Sequence, residues 1–118
     1  MAYNIVILYN TGGNTMNVIK NYKDIGKVIN KELVMIVAKT HSCSSCQTIA
    51  NILETNLQYF HEIEKYEIYI DDIDRFRGEY LIFSVPTIII FSKGKELLRE
   101  SRYFSYTKMD RLIEMFLE

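Results

Sequence analysis

Two cysteines three positions apart are the residues of this 118-residue chain best suited to chemistry. They form the sequence CSSC at residues 43–46, and the chain contains no other cysteine. Side chains at this spacing converge on one turn of helix, so the two sulfurs can form a disulfide with little backbone movement. The first turn of a helix also presents free backbone N–H groups and the positive end of the helix dipole, which both favour a thiolate.

The pattern predicts different roles for the two sulfurs. Cys43 is expected at the helix start, where it would ionise near neutral pH and attack a substrate disulfide. Cys46 lies one turn further on the apolar face, so it is expected to be more buried and to resolve the mixed disulfide. His41 precedes Cys43 by two residues. As imidazolium it would stabilise the Cys43 thiolate, and as neutral imidazole it would accept the proton of Cys46.

A second group of candidate site residues lies just before a predicted buried strand. Pro86 is the only proline of the chain, and because proline cannot donate to a strand ladder it belongs at the first residue of the strand. A cis bond before Pro86 would leave the N–H and C=O of Val85 free to pair with an extended substrate peptide. Val85, Pro86 and Thr87 are therefore candidate substrate-binding residues, and a trans proline at the strand start is the simpler alternative.

Alternating apolar segments predict the elements that position these residues. The apolar runs LVMIVA at 33–38 and TIIIF at 87–91 are typical of strands buried on both faces of a sheet, and YEIYI at 66–70 alternates as a strand does. Apolar residues at helical spacing follow residue 46 and recur towards the end of the chain. With a hairpin at SKGK (92–95), this order predicts an α/β fold, a central mixed sheet flanked by helices on both faces. Residues 1–15 are predicted to be an N-terminal extension, and residues 16–118 the domain.

Composition and charge narrow the classes of partner. A net charge of −1, with acidic and basic residues interspersed, gives no electrostatic argument for binding nucleic acid or an anionic membrane surface. No segment approaches the roughly 20 apolar residues that span a bilayer, and the start of the chain lacks the features of a signal peptide. We therefore expect the cytoplasm, where a pair of cysteines indicates chemistry or metal binding rather than a structural disulfide. We also expect a monomer.

Four features, taken in order, resemble the thioredoxin family. They are the LVMIVA strand, the CSSC sequence at a helix start, Val85-Pro86-Thr87, and the Lys93-Gly94-Lys95 hairpin. The resemblance covers residues 16–118 and implies a thioredoxin fold, a cis bond at Pro86 and the reduction of protein disulfides. It also implies that no bound cofactor is needed, because the dithiol carries the electrons. A flavin reductase that uses NADPH, or another dithiol donor, would regenerate it.

The chain departs from the usual family pattern at three places around the cysteines. Ser42 stands where the family usually has tryptophan, and Ser44-Ser45 replaces a Gly-Pro pair. Val37 stands where the family usually has a buried acid that helps to deprotonate the resolving cysteine. These changes keep the dithiol but alter the surroundings of both thiols.

Other interpretations of the same residues stay open at this point. The cysteines would be inert if they only packed in a core, and a zinc site would need His41 and His61 to complete its ligands. His61 lies far along the predicted helix, which disfavours zinc. A non-catalytic adaptor would use the Pro86 face as a peptide groove, and an oxidase or isomerase would differ from a reductase only in redox potential. The acidic residues at 71, 72 and 74 are predicted to cap a short helix.

Overall fold

A five-stranded sheet with helices on both faces forms the described part of the molecule, which a computed structural model covers from residue 16 to residue 118. The predicted extension, residues 1–15, lies outside the described residues. The strands are β1 (Asn17–Val18), β2 (Val34–Lys39), β3 (Glu64–Tyr69), β4 (Thr87–Ser92) and β5 (Lys95–Glu100). The α-helices are α1 (Ile25–Ile29), α2 (Ser44–Gln47), α3 (Ile49–Asn56), α4 (Asp74–Glu79) and α5 (Tyr106–Leu117). The predicted α/β fold with a mixed sheet is confirmed.

The direction of the strands gathers the functional segments at one edge of the sheet. The strand order is β1-β3-β2-β4-β5. Strands β1, β3 and β2 are parallel, whereas β4 runs antiparallel to β2, and β5 antiparallel to β4. The carboxyl ends of β1, β2 and β3 therefore meet the start of β4 and the end of β5. We call this border the upper edge of the sheet.

The core has two layers because the central strands are apolar on both faces. All six residues of β2 are buried, and alternate residues of a strand point to opposite faces. Ile36 and Ala38 pack in a cluster with residues of α1 and α4. Met35 and Val37 pack on the other face, against residues of α3 and α5. This second layer supports α3, the helix that follows the cysteines.

Two local details concern a helix start and a hairpin turn. Asn21 precedes a 3₁₀ turn at Tyr22–Asp24, but its side chain makes no capping hydrogen bond. The β4–β5 hairpin turns through Lys93 and Gly94, which both have positive φ, at 52° and 85°. A two-residue hairpin turn with that backbone favours glycine. A Cβ at Gly94 would also lie 2.9 Å from Oδ1 of Asn30, so a larger residue there would have to displace that side chain as well as adopt an unfavourable φ.

Candidate active site

The two cysteines form a disulfide at the start of α2, on the upper edge of the sheet. Cys43 is the N-cap residue of α2 with an extended backbone, and its Sγ accepts a hydrogen bond of 3.2 Å from the backbone N–H of Cys46. The two Cα atoms are 5.2 Å apart. Cys46 is fully buried, while Cys43 is only half-buried. The prediction that the pair opens a helix, with Cys46 the more buried sulfur, is confirmed.

Ser45 adds a second polar contact to the outer sulfur. Its Oγ lies 3.3 Å from Cys43 Sγ. In the dithiol form, the Cys46 N–H and the Ser45 hydroxyl are both placed to donate to a Cys43 thiolate, and such charge-assisted hydrogen bonds stabilise the anion. Sequence reasoning treated the residues between the cysteines only as a departure from Gly-Pro, so it missed this contact.

The bond between Val85 and Pro86 is cis, as the family resemblance implies. Strand β4 starts at Thr87, whose Oγ1 donates a 2.6 Å hydrogen bond to the carbonyl of Ser84. The paired register of β2 and β4 ends at Ala38 and Thr87. In the part of the chain that the structure describes, the Val85 N–H and C=O have no backbone hydrogen bond. Both groups are therefore available to an incoming strand.

His41 is held by groups other than the sulfurs. Its Nε2 lies 2.9 Å from Oδ2 of Asp72, its backbone N–H donates to Asp71, and its ring stacks on Tyr69 with centroids 3.9 Å apart. The hydrogen bond with Asp72 raises the pKa of His41 above its usual value. The ring is therefore biased towards imidazolium, which is the first of the two forms considered from the sequence.

Asp71 and Asp72 were predicted to help cap a short helix, and the structure corrects this. Both carboxylates instead accept hydrogen bonds from His41, and only Asp74 lies in the first turn of α4. Among residues 16–118, His41, Asp71 and Asp72 form the one group of three or more metal-type donors, and it includes neither sulfur. His61 was expected far along the helix after the cysteines, but α3 ends at Asn56 and His61 lies in a separate 3₁₀ turn, Phe60–Glu62. Its Nε2 is 3.4 Å from Oε2 of Glu54. The four residues of the zinc alternative are therefore not grouped together.

A buried ion pair lies next to the position where the sequence lacks a buried acid. Val37 is buried among apolar neighbours and is opposite Glu67 in the parallel pairing of β2 and β3. Glu67 and Lys39 form a 2.8 Å salt bridge, with side chains only 14% and 6% exposed. Alternation along the strands places both on the sheet face covered by α3, where Val37 also packs. The sequence feature that could have indicated this ion pair is Lys39, a charged residue that directly follows the apolar run at 33–38.

No helix in the range 16–118 combines the length and apolar character needed to cross a bilayer.

Comparison with known proteins gives one consistent family. The thioredoxin family model matches residues 15–117 of the chain. The thioredoxin-like protein YdfQ of Bacillus subtilis (strain 168) is 28% identical over 72 residues, which are 61% of this chain and 64% of that protein. The match thus spans slightly less than two thirds of that relative.

Solved structures of thioredoxins have the same fold. The thioredoxin of Fasciola hepatica superposes with a TM-score of 0.68 at 26% identity, covering 85% of this chain and 98% of that chain. A mutant thioredoxin from Halobacterium salinarum NRC-1 superposes with a TM-score of 0.71 at 17% identity, covering 90% and 94%.

Proposed function

The chain belongs to the thioredoxin family, and from this premise we propose that it is a thiol–disulfide oxidoreductase that reduces protein disulfides. The observation that carries the proposal is the arrangement of the two sulfurs. Cys43 is half-buried at a helix start, and Cys46 is fully buried one turn later and bonded to it. An inert core pair would have no reason to keep one sulfur at the surface and supplied with hydrogen-bond donors.

The reaction starts from the reduced dithiol. The Cys43 thiolate attacks one sulfur of the substrate disulfide, whose S–S bond breaks as the mixed disulfide forms, and the departing substrate sulfur takes up a proton. Cys46 then loses its proton and attacks Cys43 Sγ. The second substrate sulfur leaves and is protonated. Two electrons pass to the substrate, and the Cys43–Cys46 disulfide is formed.

Nearby residues support each step. The Cys46 N–H and the Ser45 hydroxyl stabilise the Cys43 thiolate, and the free backbone groups of Val85 pair with the substrate segment in the mixed disulfide. Since its hydrogen bond with Asp72 favours the charged ring, we assign His41 the electrostatic role beside Cys43. Pro86 and Thr87 hold the Val85 loop in place at the start of β4.

The proton of Cys46 needs an acceptor, and Val37 cannot supply one. Glu67 is a carboxylate with only 14% of its side chain exposed, on the strand beside Val37 and on the sheet face that α3 covers. We therefore propose that Glu67, held by Lys39, takes the place of the acid that other family members carry on the preceding strand. The oxidised protein is expected to be regenerated in the cytoplasm by a flavin reductase that uses NADPH, or by another dithiol donor.

Reduction of insulin disulfides in the presence of dithiothreitol tests the proposal. The wild type is expected to accelerate the reaction. With Cys43→Ser, insulin should be reduced only at the rate seen with dithiothreitol alone. Equal rates for the two proteins would reject catalysis and favour a peptide-binding adaptor. The redox potential measured against glutathione then separates a reductase, at about −270 mV, from an oxidant, at about −120 mV.

A further inference from the structure

The strand order places different side chains on the two sides of the cysteines. Along the upper edge, β2 leads to Cys43, β3 and β1 end on one side of it, and β4 and β5 meet on the other side. The β3 side carries His41, Tyr69, Asp71 and Asp72, which we call the histidine flank. The β4–β5 side carries the loop before Pro86 and the segment after Glu100.

Two aromatic side chains project from the β4–β5 side. Phe83 is 87% exposed and Tyr103 is 89% exposed, the highest values among the large hydrophobic side chains of residues 16–118. Phe83 lies three residues before Pro86. Tyr103 lies three residues after the end of β5, where Glu100 pairs with Ile88 near the start of β4. Two exposed aromatic residues from separate loops at the same edge indicate an interaction surface.

A cavity of about 410 Å³ lies at this surface. Leu81 and Phe83 line it from the loop before Pro86, Thr87 from β4, and Ser101 from the segment after β5. Arg99 holds its wall, because it binds both carboxylate oxygens of Glu96 at 2.9 Å and donates to the carbonyl of Leu81 at 3.1 Å. The volume is large enough for an apolar side chain of a partner.

The cavity shares Phe83 and Ser84 with a second depression that reaches the loop before Cys43. Phe83 also lines a smaller depression of about 200 Å³, whose other walls include Thr40 before Cys43 and Val85. Phe83 therefore stands between the cysteine loop and the larger cavity. A segment that pairs with the Val85 backbone would lie two residues along the chain from Phe83, which lines the larger cavity.

Charge adds a second element of recognition. Arg102 follows Ser101 and precedes Tyr103, is exposed, and has no hydrogen-bond or ion-pair partner within the described residues. Neighbouring Glu100 is already engaged with the backbone of Ser105 and with Lys108. An unpaired arginine beside an aromatic side chain is suited to a carboxylate of a partner.

We propose that Leu81, Phe83, Arg102 and Tyr103, which we call the aromatic flank, bind the stretch of a substrate protein next to its reactive cysteine. The occupant is an extended segment with a large apolar side chain for the cavity and an adjacent acidic residue for Arg102. This inference rests on the proposed function, since it names the class of disulfide that the dithiol reduces.

Disulfide-linked reporter peptides test it directly. The peptides differ only in the two residues beside the cysteine (Leu-Asp, Leu-Lys or Gly-Gly), placed before or after it. In one placement, Leu-Asp is expected to give a KM about tenfold lower than Gly-Gly, the size of effect typical of an aromatic anchor. The double variant F83A/Y103A is expected to lose this difference in KM, and Arg102→Glu to reverse the preference between Asp and Lys.

Controls separate this inference from the proposed function. Met115→Ala removes another exposed apolar side chain, near the far end of the 12-residue helix α5, and is expected to keep the peptide preference. Equal KM values for all peptides with the wild type, or a preference that survives F83A/Y103A, would overturn the docking site. If the wild type reduces neither a small aromatic disulfide nor any peptide, the proposed function fails. Fluorescence anisotropy of the same peptides with Cys43→Ser then tests docking alone.

Discussion

The two flanks of the cysteine pair have cavities of similar size but differ in the side chains that they expose to solvent. The aromatic flank has a cavity of about 410 Å³, and the histidine flank one of about 380 Å³ that His41, Tyr69 and Asp72 help to line. On the histidine flank the polar groups bind one another, as His41 does with Asp72. On the aromatic flank Phe83 and Tyr103 have no such partners and face solvent.

The difference between the flanks indicates that they have different functions. Groups that satisfy each other within the chain gain little from a partner, and we propose that here they tune the charge near Cys43. Exposed aromatic side chains contribute little to the stability of the chain alone, but they contribute most of the energy at many interfaces. We infer that the histidine flank serves the chemistry and the aromatic flank serves substrate choice.

The largest effect is expected at the centre that both flanks share. Cys46→Ser leaves Cys43 able to attack but removes the resolving sulfur, so the mixed disulfide with a Leu-Asp peptide should accumulate and turnover should stop. Mass spectrometry of the intact protein measures the adduct. Sustained multiple turnover by this variant would contradict the assignment of Cys46.

The next effect is expected beneath the histidine flank. Glu67→Ala would leave buried Lys39 without its carboxylate partner, and breaking such a pair costs about 3 kcal/mol of unfolding free energy. Glu64→Ala is the matched control on the same strand, because the Glu64–Lys31 pair is exposed and contributes about 1 kcal/mol or less. Chemical denaturation of both variants measures the difference. Equal losses would show that burial of the Lys39 pair is unimportant.

Glu67 also has a predicted kinetic role that the stability experiment does not test. If this carboxylate accepts the Cys46 proton, Glu67→Gln should slow the resolution step and shift its pH profile, even under conditions where the variant is fully folded. Rapid mixing of a preformed mixed disulfide measures this step. An unchanged pH profile would limit the role of Glu67 to packing.

A smaller effect is expected within the histidine flank itself. Asp72→Asn removes the main cause of the raised pKa of His41, so that pKa should fall towards its ordinary value. Because the folded-state pKa is raised, the stabilisation by this pair is complete below the ordinary pKa and is lost as the pH rises through the folded value. An NMR titration of the His41 ring measures the shift. Asp74→Asn, which changes an acid not bonded to His41, should leave it unchanged.

The role of His41 beside Cys43 is checked by a related substitution. His41→Asn is expected to move the pH at which the Cys43 thiolate forms upwards, because the variant lacks the positive charge. The ultraviolet absorbance of the thiolate, recorded as a function of pH, measures this titration. A thiolate titration and a resolution rate that both match the wild type would remove His41 from the mechanism.

The smallest effect is expected on the stability of the aromatic flank. Phe83→Ala should change the unfolding free energy by about 0.5 kcal/mol or less, since the side chain is 87% exposed. Phe76→Ala, at a fully buried position on α4, should cost about 3–5 kcal/mol in the same denaturation experiment. A large loss in Phe83→Ala would mean that this residue supports the fold rather than a partner.

Local patterns were enough to predict much of this molecule. Apolar runs predicted β2 and β4, the helical spacing after residue 46 predicted the helix that follows the cysteines, and SKGK predicted the hairpin. The cysteine spacing itself implied a bonded pair at a helix start. These predictions succeed because each pattern is formed by residues that lie close together in the sequence.

Contacts between distant segments required the tertiary structure. The parallel register of β2 and β3 brings Glu67 to Lys39, and the ends of the same strands bring Asp72 to His41. Antiparallel β4 and β5 bring Tyr103 to the same edge as Phe83. The spacing of residues along the chain says which side chains exist and what local structure they favour. Only strand register and direction decide which side chains meet, because those contacts join residues that lie 20 or more positions apart in the sequence.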